Sequence, residues 1–155
     1  MNKPYIKVSH VIVEVISYLF LLAAIIFAIV KVYTIKGEVP AHWDLKENGY
    51  GSLRMMLGLP LLMLFANAMT SVGIHLMPES MWNSPVKVKQ GNKLRLYSDM
   101  VWIMVLMMLV IAVCTLVMTL GYFNYAVFMG ACTAMMILIC LVCTVGVSVV
   151  KKRNK

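Results

Sequence analysis

The chain has 155 residues, of which 62% are hydrophobic and only 13% charged, and its mean hydropathy is +0.88. A soluble domain carries roughly 45–50% apolar and about 25% charged residues, which excludes disorder, a basic nucleic-acid-binding domain and an ordinary water-soluble enzyme. The formal net charge of +8 comes from Lys and Arg placed between and beyond long apolar runs. Bases in those places orient a membrane protein; they do not point to nucleic acid as a partner.

Crossing a hydrocarbon core of about 30 Å takes about 20 helical residues. Four runs supply them, at about 8–30, 55–77, 100–120 and 126–150. Lipid offers no partners for backbone N–H and C=O groups, so each run is predicted to be a helix. The expected fold is an all-α integral membrane protein, a four-transmembrane-helix bundle in one membrane domain over residues 1–155. The first apolar run exceeds the roughly 7–15 residues of a signal-peptide core. No small-residue cleavage pattern follows Lys31, so this run is expected to remain as a helix.

Counting bases gives the orientation. One side collects Lys3, Lys7, Lys87, Lys89, Lys93, Arg95, Lys151, Lys152, Arg153 and Lys155. The other has Lys31, Lys36, Lys46 and Arg54, offset by Glu38, Asp44 and Glu47. The positive-inside rule then predicts both termini and the 78–99 loop in the cytoplasm, with the 31–54 loop outside. The short turn Gly121–Tyr125 forces an antiparallel hairpin of spans three and four. Tyr122, Phe123 and Tyr125 are expected in the outer aromatic belt and Trp102 in the inner one.

Helices in lipid associate through close packing and interhelical hydrogen bonds. Ala126, Gly130 and Ala134 form a small-residue stripe on span four, and Ala24 and Ala28 stand in the same relation on span one. Packing within the chain is the expectation for both stripes, a homo-oligomer contact the alternative. The four cysteines and the cluster Met104, Met107 and Met108 read as packing residues, with no metal or other cofactor implied.

Polar residues inside the runs are costly. Glu14 is the only acidic residue within any of them, and His10 precedes it by four residues on the same helical face. Because adjacent helices alternate in direction, His75 falls at the same membrane level. His10, Glu14 and His75 are therefore expected to form an intramembrane polar cluster, with Asn67 at mid-membrane as an interhelical hydrogen-bonding group. Such a cluster reads first as structural, with Glu14 near the interface accepting a hydrogen bond from His75 or a backbone group. The alternative is a proton-linked or metal-binding site, which would suit a small transporter or channel subunit.

The 31–54 loop carries Pro40, His42, Trp43, Asp44, Gly49, Gly51 and Ser52, followed by Pro60 in the next apolar helix. Over residues 10–75 this pattern resembles the N-terminal membrane domain of SdpI-type bacterial immunity proteins. In that family the loop reads Pro, His-aromatic-Asn, Gly and Trp-Gly-Ser-Lys before a Pro-containing helix. Asp44, Tyr50 and Leu53 depart from it, with Arg54 one place after the expected Lys. The resemblance implies a non-enzymatic protein of the bacterial cytoplasmic (inner) membrane that protects against or senses a secreted peptide toxin through this loop. No HExxH or GxSxG motif or Gly-rich phosphate loop supports enzyme chemistry. The basic 78–99 loop attracts anionic headgroups and offers a surface for a cytoplasmic regulator.

Overall fold

A computed structural model describes residues 3–35, 38–42 and 49–153. Four helices dominate it: α1 (Val8–Thr34), α2 (Gly58–His75), α3 (Lys93–Leu120) and α4 (Tyr125–Arg153). Each belongs to a segment long and apolar enough to cross a membrane, the architecture of a multi-pass membrane protein. At 1.5 Å per residue, α1, α3 and α4 are about 40–44 Å long and overrun a 30 Å hydrocarbon core. Hence α3 starts at Lys93, inside the segment expected as the 78–99 loop. An apolar run marks what tolerates lipid; a helix continues into polar sequence while its backbone bonds can form. By contrast α2 is only about 27 Å long and is preceded by a 3-10 helix over Leu53–Leu57. Pro60 is its third residue, where no intrahelical N–H bond is lost, so it sits in the first turn without breaking the helix.

The burial pattern of the first helix is inverted relative to a soluble protein. On α1 the buried residues are His10, Glu14, Ser17, Leu21, Ala24 and Ala28, while Val11, Ile12, Val15, Leu19, Leu22 and Ile26 are exposed. The buried positions step by four and three, the 3.5-residue period that keeps one seam against a left-handed partner. On α3 the same stepping runs through Val101, Val105, Met108, Ala112, Thr115 and Thr119, and on α2 through Pro60, Asn67 and Ile74. On α1 the seam is mostly small and polar because lipid-like residues gain nothing by leaving lipid; α3 answers it with Val101, Val105 and Met108 as well as small residues. Thr115 and Thr119 satisfy their hydroxyls on the carbonyls of Ile111 and Thr115, both at 2.7 Å.

Helix α3 is the hub. It packs along α1, α2 and α4, whereas α4 packs chiefly on α3 and buries only Ala131 and Val150. The contact closes at Gly146, where an added Cβ would lie 2.5 Å from Ile103 Cγ1. Two thiol–thioether contacts line it, Cys132 to Met118 at 3.5 Å and Cys143 to Met107 at 3.7 Å. The Ala126–Gly130–Ala134 stripe, expected to pack within the chain, faces outward instead, and nothing lies within 4 Å of a Cβ placed on Gly130. Ala24 and Ala28 are fully buried, as expected.

The two ends of the molecule differ. At one end Lys3 Nζ donates to the carbonyls of Ile74 (2.7 Å) and Met77 (2.6 Å), capping the last turn of α2. Beside it Trp82 meets Tyr5 and Tyr97 edge to face, the two tyrosine rings lie tilted against each other, and Arg153 pairs with Asp99 at 3.1 Å. Pro4, Tyr5, Lys7 and Arg153 border the same pocket, so the first and last described segments meet here. At the other end, strands β1 (Glu38–His42) and β2 (Gly49–Ser52) pair antiparallel, with a register irregularity between Pro40 and His42. Below them Ala28, Met56 and Tyr122 form a small core with Phe128. Tyr122 is therefore buried, and only Phe123 and Tyr125 of the expected outer belt are exposed.

Candidate functional site

The polar cluster forms, with a different membership from the one expected. Glu14, near the start of α1, meets His75, the last residue of α2, with Nε2 to Oε2 at 2.8 Å. Ser71, one turn before His75, donates to the other carboxylate oxygen at 2.5 Å. Tyr18, one turn after Glu14, lies 2.7 Å from Ser71 Oγ. The Ser71 proton is committed to Glu14, so the Tyr18 hydroxyl is the donor in that contact. The result is a polarised chain, Tyr18 to Ser71 to Glu14, closed by His75. Its axial length follows from the i, i+4 spacing of each pair: about 6 Å along each helix. The Glu14 side chain is 10% exposed and that of His75 39%, so the imidazole forms the accessible rim and the carboxylate the interior.

His10 and Asn67 take their partners elsewhere. His10 is buried, accepts the Lys7 backbone N–H on Nδ1 at 3.0 Å, and packs edge-on to Trp102 at 4.6 Å. It therefore caps the first turn of α1. Helical phase puts His10 on the Glu14 face but does not give it a bond there. Asn67 donates to the Met108 carbonyl of α3 at 3.3 Å, and its Oδ1 is buried without a partner among the described residues. Ser71 and Tyr18 escape a search for charged residues. The signal that finds them is spacing: 67, 71 and 75 on α2, 14 and 18 on α1.

Of the loop residues, Pro40 pairs in register with Tyr50, His42 with Gly49 and Gly51 with Val39. Ser52 begins the 3-10 helix and accepts a long 3.4 Å hydrogen bond from the Arg54 N–H. Trp43 and Asp44 lie outside the described residues. Pro60 is buried on the first turn of α2. The motif thus runs through a hairpin directly joined to the entry of α2.

Electrostatics outside the spans concentrate at the basic end. Glu79 pairs with Lys93 at 2.9 Å, and this hydrogen bond holds its carboxyl below the usual carboxylate value despite some desolvation. Burial, and then the Glu79 charge, push the Tyr5 phenol above its ordinary range. Among the described residues no three His, Cys, Asp or Glu side chains converge, so the Glu14–His75 pair falls short of a metal coordination set. What the arrangement can do chemically is hold, donate or relay a proton at an interface between α1 and α2. No protein-family model, curated protein or solved structure matches this chain.

Proposed function

We propose that this chain is a non-enzymatic protein of the bacterial cytoplasmic membrane, with both termini inside, that meets a membrane-acting peptide at its outer face. The observation that carries this reading is the hairpin. The segment resembling the SdpI-type loop is paired into strands and sits at the end of the helices opposite the basic chain ends. By the positive-inside rule that end faces outward, where a secreted peptide arrives. In sequence this segment carries Trp43 and Tyr50, aromatic residue types suited to capturing an apolar peptide, and it adjoins the apolar helices.

Protection from secreted peptide toxins tests it. Expression in a susceptible strain should raise survival at least tenfold, and His42→Ala should remove the gain at unchanged protein level. Unchanged sensitivity to every such peptide tried would sink the reading.

A second reading, a small transporter or channel subunit, is favoured by the Tyr18–Ser71–Glu14–His75 chain. Intramembrane ionisable groups commonly mark proton or ion paths. In reconstituted vesicles, proton flux that disappears in Glu14→Gln would support it, and flux equal to that of empty vesicles would dismiss it.

A further inference from the structure

An apolar groove of about 410 Å³ runs between α3 and α4, walled by Trp102, Ile103, Leu106, Leu141 and Val145. It ends at Asp99 and Arg153. On the other side of that ion pair lies a polar pocket of about 280 Å³ bordered by Lys7, Arg95 and Ser98 as well as the same two residues. Three cations face one carboxylate there. Apolar and basic cavities therefore meet at one junction, with tail and head compartments in the order a phospholipid requires.

We propose that the two cavities hold one anionic phospholipid, one of its two acyl chains in the α3–α4 groove and its phosphate among Arg153, Arg95 and Lys7. This rests on the reading of the helices as membrane spans. Three features specify the ligand. From Leu141 to Arg153 the groove extends twelve residues, about 18 Å, which matches one leaflet of a core about 30 Å thick. Its long axis follows the helices, as a chain in a bilayer does. The Arg153 guanidinium is half exposed, and Asp99 Oδ1 fixes it at the junction from one side, leaving the rest available to a phosphate. Asp99 Oδ2 is buried with no hydrogen-bond partner among the described residues. A headgroup with a net negative charge, as in phosphatidylglycerol, answers the excess of cations over this single carboxylate. Basic pockets between membrane helices are a recurrent setting for anionic headgroups.

Trp102 borders the groove and reports on it. The full-length protein with Trp43→Phe and Trp82→Phe keeps it as the sole tryptophan. This variant is reconstituted in phosphatidylcholine vesicles containing increasing amounts of brominated-chain phosphatidylglycerol, after flotation confirms insertion. Half-quenching of Trp102 is expected at a mole fraction at least fivefold below that needed with brominated phosphatidylcholine. The pair Arg95→Gln and Arg153→Gln should raise the half-quenching fraction at least threefold. Val145→Phe, at an exposed position on the groove wall, should erase the preference while helicity by circular dichroism is unchanged. Equal quenching by the two lipids, or a preference untouched in both variants, overturns the proposal. Failure to float defeats the membrane reading itself, whereas flotation without preference defeats only the lipid site.

Discussion

Helices α1 and α4 are nearly equal in length and both lie against α3, yet they are held in different ways. On α1 six buried residues form a continuous 3.5-residue seam, and five of them are polar or small. On α4 two residues are buried, and the contact relies on one close approach at Gly146. In water, a helix with the more hydrophobic face would bury it. In lipid the gain from removing apolar surface vanishes, so alanines that let backbones approach and groups that hydrogen-bond give α1 the more deeply buried seam of the two. The difference teaches that on α1 polar and small residues mark the inside, whereas on α4 small and polar residues are left facing outward as well.

Substitutions can break this contrast. The largest effect is expected from Ala24→Leu, which forces a branched side chain into a fully buried seam and should cost about 3 kcal/mol. The same change at exposed Ala134 should stay within about 0.5 kcal/mol. Reversible unfolding in mixed detergent micelles measures both, and equal losses would refute the assignment of seam and outer face. Next comes Glu14→Ala, which leaves Ser71 and His75 without their acceptor. A loss of about 1.5–3 kcal/mol is expected, as for hydrogen bonds to charged groups.

On α4 itself, Gly146→Val should cost about 1–3 kcal/mol, because its Cβ would overlap Ile103 Cγ1 at 2.5 Å and force that stiff β-branched side chain or the helix to shift. Gly130→Ala, with open space around it, should instead stabilise by about 0.5–1 kcal/mol through helix propensity alone. The smallest effect belongs to the Glu79–Lys93 pair at the basic end. The folded carboxyl titrates below its ordinary value of 4.5, so the pair's contribution is present above that value and is lost as pH falls through the lower folded one. A melting-temperature gap between the parent protein and Glu79→Gln should accordingly be seen near neutral pH and close in acid. A gap independent of pH would assign the effect to packing.

The four helices were legible because apolar length alone decides what can cross a bilayer. The pairing of Glu14 with His75 was legible too, since antiparallel neighbours bring the start of one span beside the end of the next. Three things were hidden for physical reasons. His10 shares the helical phase of Glu14, but a free backbone N–H at Lys7 competes for its ring nitrogen. Ser71 and Tyr18 carry no charge, so nothing in composition marks them until their partner's position is known. The Ala126–Gly130–Ala134 stripe is as regular as the buried alanines of α1. A small-residue pattern permits close approach without specifying which neighbour makes it.

The Lys3 side chain reaches under the end of α2 and grips two carbonyls there. A clamp so near the start of the described chain makes that segment a poor attachment point for bulky fusion partners. Neutralising the amine by acylation would release the grip on the α2 terminus and, within the same turn, slacken the alignment that presents His75 to its carboxylate.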